Sequence, residues 1–246
     1  FSEWDTSQHV VEPIKVPPTW KLYRCYDHGR AKPGACLWFA VDYDGNVWLY
    51  REFYPIGLDV DQLAQEINRL SGDEIYEWSA ADPAIFANIG MVDKFGGQTI
   101  AETFARYGIM WLPASNRRVD GWTLLHQYLR WSEEQKPKLK IFKTCVNFIR
   151  TMPVLIHDEV HPEDVDSDGE DHAADAFRYG LVMLHENKST KPLSGVEAKL
   201  QKLKEMSKLL DDLQESPYRE GFVQYLHETF GNDNIKNLYD YDNYLD

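Results

Sequence analysis

Glu170-Asp171-His172-Ala173-Ala174-Asp175-Ala176-Phe177-Arg178-Tyr179-Gly180, entered through Asp164-Val165-Asp166-Ser167-Asp168-Gly169, is the stretch in which core and chemistry meet. Read as a helix, it sets Asp171 and Asp175 four residues apart and His172 and Asp175 three apart, so oxygen and imidazole donors gather near the helix start. Ala173, Phe177, Leu181 and Leu184 recur with helical period on the other side and would pack inward. Carboxylates this close repel one another, and a folded chain keeps them together most readily around a cation.

The surrounding chain has 246 residues, 43% hydrophobic and 13% aromatic, enough for one large domain and a smaller appendage. No apolar run reaches the roughly 18 residues a membrane span needs. A chain that opens on Phe1 with no charged and apolar leader reads as an excised domain without a signal peptide. Cys25, Cys36 and Cys145 are odd in number and lack CxxC spacing, which points to core thiols in a reducing compartment. The formal net charge of −14 argues against nucleic acid as a partner, but its distribution argues the other way. Between Ser115 and Arg150 there are eight basic residues and three acidic ones, either a solvated face or a phosphate-tracking surface.

In chain order, residues 1–19 contain Pro13, Pro17 and Pro18 and read as an extended lead-in or linker. Trp20–Tyr26, Ala35–Val41 and Val47–Phe53 are strand-like, with Asp44-Gly45 as a hairpin turn between the last two, so a three-strand antiparallel meander is expected. Asp59–Leu70 is an amphipathic helix closed near Gly72, Glu74–Ala80 a strand ending at Asp82-Pro83, and Thr99–Tyr107 a helix. Ile109–Leu112 reads as a strand, Asp120–Trp131 as a helix capped by Asp120, and Thr144–Met152 as a helix. A short apolar strand or turn follows Lys136–Lys140. Alternation of strand and helix implies parallel strands. Residues 188–194 look like a linker, Val196–Leu213 is helical and charged, and from Lys191 onward there are 11 acids against seven bases, suiting a partner-binding tail.

Three acids stand out by position: Asp27 after the first strand, Asp82 after the fourth, and Asp175 on the late helix. In α/β sheets, ligands and chemistry collect at strand ends. The order of elements is that of the ribonuclease-H-like fold: an α/β mixed sheet, a three-strand antiparallel meander then alternating helix and strand, flanked by helices and followed here by a helical tail.

Arg24-Cys25-Tyr26-Asp27-His28-Gly29, Asp44-Gly45 with Tyr50-Arg51-Glu52-Phe53-Tyr54, Ala81-Asp82-Pro83, Asn116-Arg117-Arg118-Val119-Asp120-Gly121-Trp122, Asn147-Phe148-Ile149-Arg150 and the Glu163–Tyr179 stretch together span Trp20 to about Leu184. In order and spacing they resemble the C-terminal nuclease domain of the large terminase subunit of tailed bacteriophages. His28 stands where relatives often carry Trp. The resemblance implies a nuclease domain over 20–187 and a charged helical tail over 188–246. It also implies a metal-dependent endonuclease that cuts concatemeric viral double-stranded DNA with little sequence preference during genome packaging. Its implied metal ligands are Asp27, Asp82 and Asp175, with Asp171 alongside and His172 as auxiliary ligand or proton carrier; the implied cofactor is Mg²⁺ or Mn²⁺, two ions per site. Arg117, Arg118, Lys136, Lys138, Lys140 and Lys143 would contact the DNA backbone. The terminase ATPase domain, whose Walker A motif GxxxxGK[ST] does not occur here and which the resemblance implies has been cut away, the small terminase subunit and the portal would be partners, in the cytoplasm of an infected bacterial host and with no membrane involved.

Two other readings use the same residues. A junction resolvase or transposase-type nuclease shares the fold and the acids. Calcium binding is suggested because Asp164, Asp166, Asp168, Gly169 and Asp175 fall at positions 1, 3, 5, 6 and 12 of an EF-hand loop. Against it stand Asp171 at the apolar eighth position, Asp for Glu at the twelfth, and Pro162 in the entering helix. Bland roles are also available: Asp27 and Asp82 as turn formers, Asp171 as a cap, His172 as a hydrogen-bond partner of a carboxylate, and Arg178 and Tyr179 as locks of the helix to the core.

Overall fold

Gly45, with φ of 77°, makes the turn its sequence implies, and the strands on either side of it pair antiparallel. A computed structural model of the chain describes residues 1–29, 32–87, 99–158, 161, 163–166 and 169–189, with side chains to 186. Contacts divide the chain into Phe1–Glu186 and Asn187–Asp246. The last described helix, His172–Ser189, runs through Lys188 and Ser189, where the linker is expected to begin; the rest of that linker, the expected tail helix, Pro162 and Asp168 lie outside the described residues.

The first unit is one seven-stranded sheet with helices on both faces. Its elements are α1 (Thr6–His9), β1 (Val10–Val11), β2 (Lys21–Asp27), β3 (Ala35–Val41), β4 (Val47–Phe53), α2 (Val60–Ser71), β5 (Trp78–Ala81), α3 (Ile100–Ala105), β6 (Leu112–Pro113), α4 (Arg118–Leu129), β7 (Leu139–Phe142), α5 (Val146–Thr151) and α6 (His172–Ser189). The strand order is β1-β7-β4-β3-β2-β5-β6. The meander β2-β3-β4 is antiparallel and every other neighbouring pair is parallel, so β3 alone runs against the rest. The carboxyl ends of the other six strands therefore share one edge of the sheet. This is the mixed α/β architecture that the meander followed by alternating elements implies.

The middle strand shows why. Ala35 to Ala40 are all buried, as expected of a strand covered on both faces. Successive side chains alternate: Trp38 donates from Nε1 to Ser71 Oγ of α2 at 3.1 Å, while Phe39 meets Phe177 of α6 edge-on at 5.8 Å. Burying Phe177 contributes roughly 2 kcal/mol. Gly180 permits the close seat of α6, because a Cβ there would lie 2.8 Å from Phe39 Cε1. Cys25, Cys36 and Cys145 are buried free thiols. No helix of the described residues is long and apolar enough to cross a membrane.

Several elements differ from expectation, among them β6, which is the two residues Leu112–Pro113 rather than Ile109–Leu112. The lead-in is docked rather than extended: β1 pairs parallel with β7, and the buried His9 reaches the Leu129 carbonyl through Nε2 at 2.8 Å. Two strand residues leave no periodicity to read. Helix α4 begins at Arg118, without a side-chain cap from Arg117; Asp120 lies in its first turn, where it offsets the helix dipole and pairs with Arg117 at 2.6 Å. Strand β5 starts at Trp78 because Glu74 is turned to accept from Tyr50, Tyr76 and both terminal nitrogens of Arg51, at 2.7 to 2.9 Å.

Candidate active site

Asp27 is the last residue of β2, and Asp82 follows β5, the strand that pairs parallel with β2. The Asp82 amide donates to the Tyr26 carbonyl at 2.9 Å, so both carboxylates emerge at the same edge. Asp82 also forms a turn, accepting from the Ala84 amide at 2.9 Å. The apolar stripe of α6, with Ala173, Phe177, Leu181 and Leu184 buried, seats that helix across the sheet. Its first turn thereby reaches Asp27: His172 Nδ1 lies 2.9 Å from Asp27 Oδ2. Asp171 and Asp175 are one turn apart, joined by the Asp175 amide donating to the Asp171 carbonyl at 2.8 Å. The five residues singled out for chemistry are thus gathered where β2, β5 and the start of α6 converge.

The electrostatics follow from crowding under burial. Asp27, 6% exposed, is pushed up to about 6 by loss of hydration, with Asp175 and Asp82 adding to the rise and His172 opposing it. Asp171, 4% exposed, is raised to about 6 by burial and by the charge of Asp175. The His172 imidazole is raised, first by its hydrogen bond to Asp27. Its Nε2 is buried and has no partner among the described residues.

Two arginines complete the site. Arg178, fully buried, donates from Nε to Asp175 Oδ1 at 2.8 Å, with its guanidinium over the rings of Tyr179 (4.3 Å) and Trp122 (5.2 Å). Gly121 makes room for it, since a Cβ there would sit 2.3 Å from Arg178 Cγ. Arg118 donates from Nη1 to Asp175 Oδ2 at 3.0 Å and from Nε to both oxygens of Asp164, at 3.0 and 2.9 Å. Asp164 also accepts from Trp122 Nε1 at 2.7 Å and from the Val165 amide at 2.7 Å. These bonds and Arg118 hold it below the usual carboxylate range despite the burial that raises it.

The donors fit a hard divalent cation: four carboxylates and an imidazole with an orphaned buried nitrogen, two of the carboxyls driven toward neutrality by burial and, secondarily, by the charge of Asp175. Among the described residues, however, no three His, Cys, Asp or Glu side chains already stand in metal-holding array. Both oxygens of Asp175 are occupied by guanidinium groups.

The basic residues do not form one surface. Arg118 faces carboxylates. Arg117 is exposed beside the site and pairs with Asp120 and Glu186. Lys136 and Lys138 precede β7, whose Leu139 pairs with Val47; they lie at the end of the sheet opposite Asp27, about 20 Å away along the strands. Lys140 stands over the Trp48 ring at that end, and Lys143 pairs with Glu12 at 2.5 Å. Residues that are neighbours in sequence are thus divided between the two ends of the sheet. Sequence reading gave Asp164 no part in this site, and the Arg178–Asp175 bond went unnoticed, although its i, i+3 spacing was a signal. The calcium reading loses its frame: His157 bridges antiparallel to Val165, and the Asp164 oxygens are taken by Arg118, Trp122 and Val165.

Among solved structures, the chain is similar to the phage P22 large terminase nuclease domain, with a TM-score of 0.59 and 19% identity over 74% of this chain and 90% of that one. The chain has the fold of a phage large-terminase nuclease domain. The same fold is met in the large terminase of a thermophilic bacteriophage, with a TM-score of 0.60, 17% identity and coverage of 74% of this chain and 43% of that one. For the HK97 bacteriophage large terminase the TM-score is 0.50, at 12% identity over 74% and 42% of the two chains. The chain thus spans less than half the length of those two large terminases. No protein-family model and no curated protein sequence matches it.

Proposed function

We propose that this chain is a divalent-metal-dependent endonuclease that cuts double-stranded viral DNA during genome packaging. The observation that carries the reading is the convergence of Asp27, Asp82, Asp171, Asp175 and His172 at the carboxyl edge of a terminase-nuclease fold. Asp27, Asp82 and Asp175 would hold Mg²⁺ or Mn²⁺, two ions in all, with Asp171 beside them. Bound there, the cations would activate a water and offset charge on the departing 3′ oxygen.

The chain's own residues prepare this in three ways. Burial and mutual repulsion leave Asp27 and Asp171 half-protonated near pH 6, so cation binding would release protons and strengthen as pH rises past that point. His172, anchored to Asp27 through Nδ1, keeps Nε2 for a proton, a ligand or a phosphate oxygen. Arg117, exposed at the rim, would meet the DNA backbone. Backbone contacts carry no base information, hence little sequence preference. Lys136, Lys138 and Lys140 would touch only DNA that runs past the far edge. The motor ATPase domain, the small subunit and the portal would be the partners, and the cytoplasm of an infected bacterium the setting. The acidic tail from Lys191 would dock onto one of these partners.

Plasmid cleavage with EDTA, Mg²⁺, Mn²⁺ or Ca²⁺ tests the reading. Cutting with Mg²⁺ or Mn²⁺, lost by more than about 100-fold in Asp27→Asn with the fold intact, is the expected result. No cutting with any metal overturns it.

A further inference from the structure

Asp175 is gripped by two guanidinium groups of different character. Arg178 is wholly enclosed, wedged under Gly121 between two aromatic rings, and has nowhere to go. Arg118 is different: its side chain is 28% exposed, and it holds Asp175 with one nitrogen while its Nε rests on both oxygens of Asp164. Its other terminal nitrogen reaches Asp171 at 3.9 Å and the Val165 carbonyl at 3.4 Å. Asp164 is itself fixed by Trp122 and by its own loop amide, so it is a prepared acceptor. A single side chain at the start of α4 thus lies between Asp171, just before α6, and Asp175 within it, two carboxylates that would otherwise repel, and it has a second seat on Asp164.

Arg118 takes Asp175 Oδ2 and Arg178 takes Oδ1, so a cation approaching that carboxylate would compete with a guanidinium at either oxygen. From this arrangement we infer that Arg118 is a positioning residue: it stands in for a cation at Asp171 and Asp175 in the metal-free protein and withdraws onto Asp164 as a divalent ion enters. The inference rests on the metal-site reading above. It makes Arg118 and Asp164 act on metal affinity with opposite signs, which a merely structural pair would not do. Removing Arg118 takes away the competitor, whereas removing the charge of Asp164 takes away the retreat and tightens Arg118 on Asp175.

The test is Mn²⁺ binding followed by calorimetry and by thermal unfolding, on the full chain. Arg118→Gln should melt lower than wild type without metal, bind Mn²⁺ about tenfold more tightly, and recover most of its lost Tm on saturation. Asp164→Asn should bind Mn²⁺ more weakly than wild type. Arg118→Lys, whose ammonium cannot span Asp164 and Asp175 together, should fall between wild type and Arg118→Gln; it carries the test together with Asp164→Asn if Arg118→Gln does not fold. Mn²⁺ binding that is lost in Asp27→Asn but unchanged in the Arg118 variants, or tightened by Asp164→Asn, overturns the inference alone. Absence of binding in every variant overturns the metal-site reading and the inference with it.

Discussion

Asp42 and Asp27 both stand where the chain leaves the meander's strands, at opposite ends of the sheet, and their carboxylates are treated oppositely. Asp42 accepts from the amides of Asp44 and Asn46, from Asn46 Nδ2 and from Trp48 Nε1, all within 3.0 Å. Although burial works against it, this saturation holds its pKa low. Asp27 has one imidazole on one oxygen, and burial pushes its pKa up, with Asp175 and Asp82 adding to the rise. A carboxylate surrounded by donors closes a turn. One surrounded by other carboxylates is stable only when something else supplies positive charge, and that distinction separates scaffold from chemistry more reliably than sequence context does.

The strongest way to break the contrast is to exchange charge for amide at both ends. Asp27→Asn should remove cleavage by more than about 100-fold while the protein keeps its fold and gains stability above pH 6, where a buried charge has been deleted. Asp42→Asn should do the reverse. Its new NH₂ would face the Asn46 amide nitrogen or the Trp48 indole, losing about 1–2 kcal/mol of stability, with cleavage under saturating metal unchanged. Chemical denaturation and plasmid cleavage on the same preparations read both effects; equal losses of activity in the two variants would erase the distinction.

A smaller effect sharpens it through pH. Asp27 and Asp171 have folded pKa values raised to about 6, so their contribution is fully present below the unfolded value of 3.8 and is lost as pH rises through about 6. Asp42 has a lowered value, so its contribution is present above the unfolded pKa and is lost as pH falls. His172, raised by Asp27, adds stability below its unfolded pKa that fades as it deprotonates. Metal-free wild type should therefore lose Tm relative to Asp27→Asn as pH rises from the unfolded pKa of 3.8 to the folded pKa of about 6, and saturating Mg²⁺ should close the gap. A gap independent of both pH and metal would mean that Asp27 is a satisfied core acid like Asp42.

The elements that carry these acids could be read from sequence because their signals are local. The period of Ala173, Phe177, Leu181 and Leu184 marks the stripe of α6 that packs into the core, although the helix from Ala173 to Val182 is buried all round. Asp44-Gly45 fixes the meander and its edges. What escaped was long-range and reciprocal. Arg118 meets Asp164 and Asp175 across 46 and 57 residues of chain, and nothing in Asn116-Arg117-Arg118 says that one arginine stays exposed and the next is drawn in to the site's carboxylates. The lead-in escaped because a two-residue edge strand has no period, so its pairing with β7 exists only in tertiary context.

The basic run shows the same limit and supplies the least disruptive test. A strand carries its flanking residues to opposite edges: Lys138 lies just before β7 and Lys143 just after it, five residues and about 17 Å apart. Only the second is on the edge that holds Asp27. If DNA tracks along that edge, Lys136→Gln with Lys138→Gln should change cleavage by less than about twofold and leave its salt dependence as it was. Arg117→Gln should weaken binding and lower the salt slope by about one phosphate contact. Fluorescence anisotropy of a duplex in Ca²⁺ across a salt series separates the two. A loss in the double lysine variant as large as that in Arg117→Gln would mean that the duplex bends around the sheet to touch both of its ends, and that the two edges serve one surface after all.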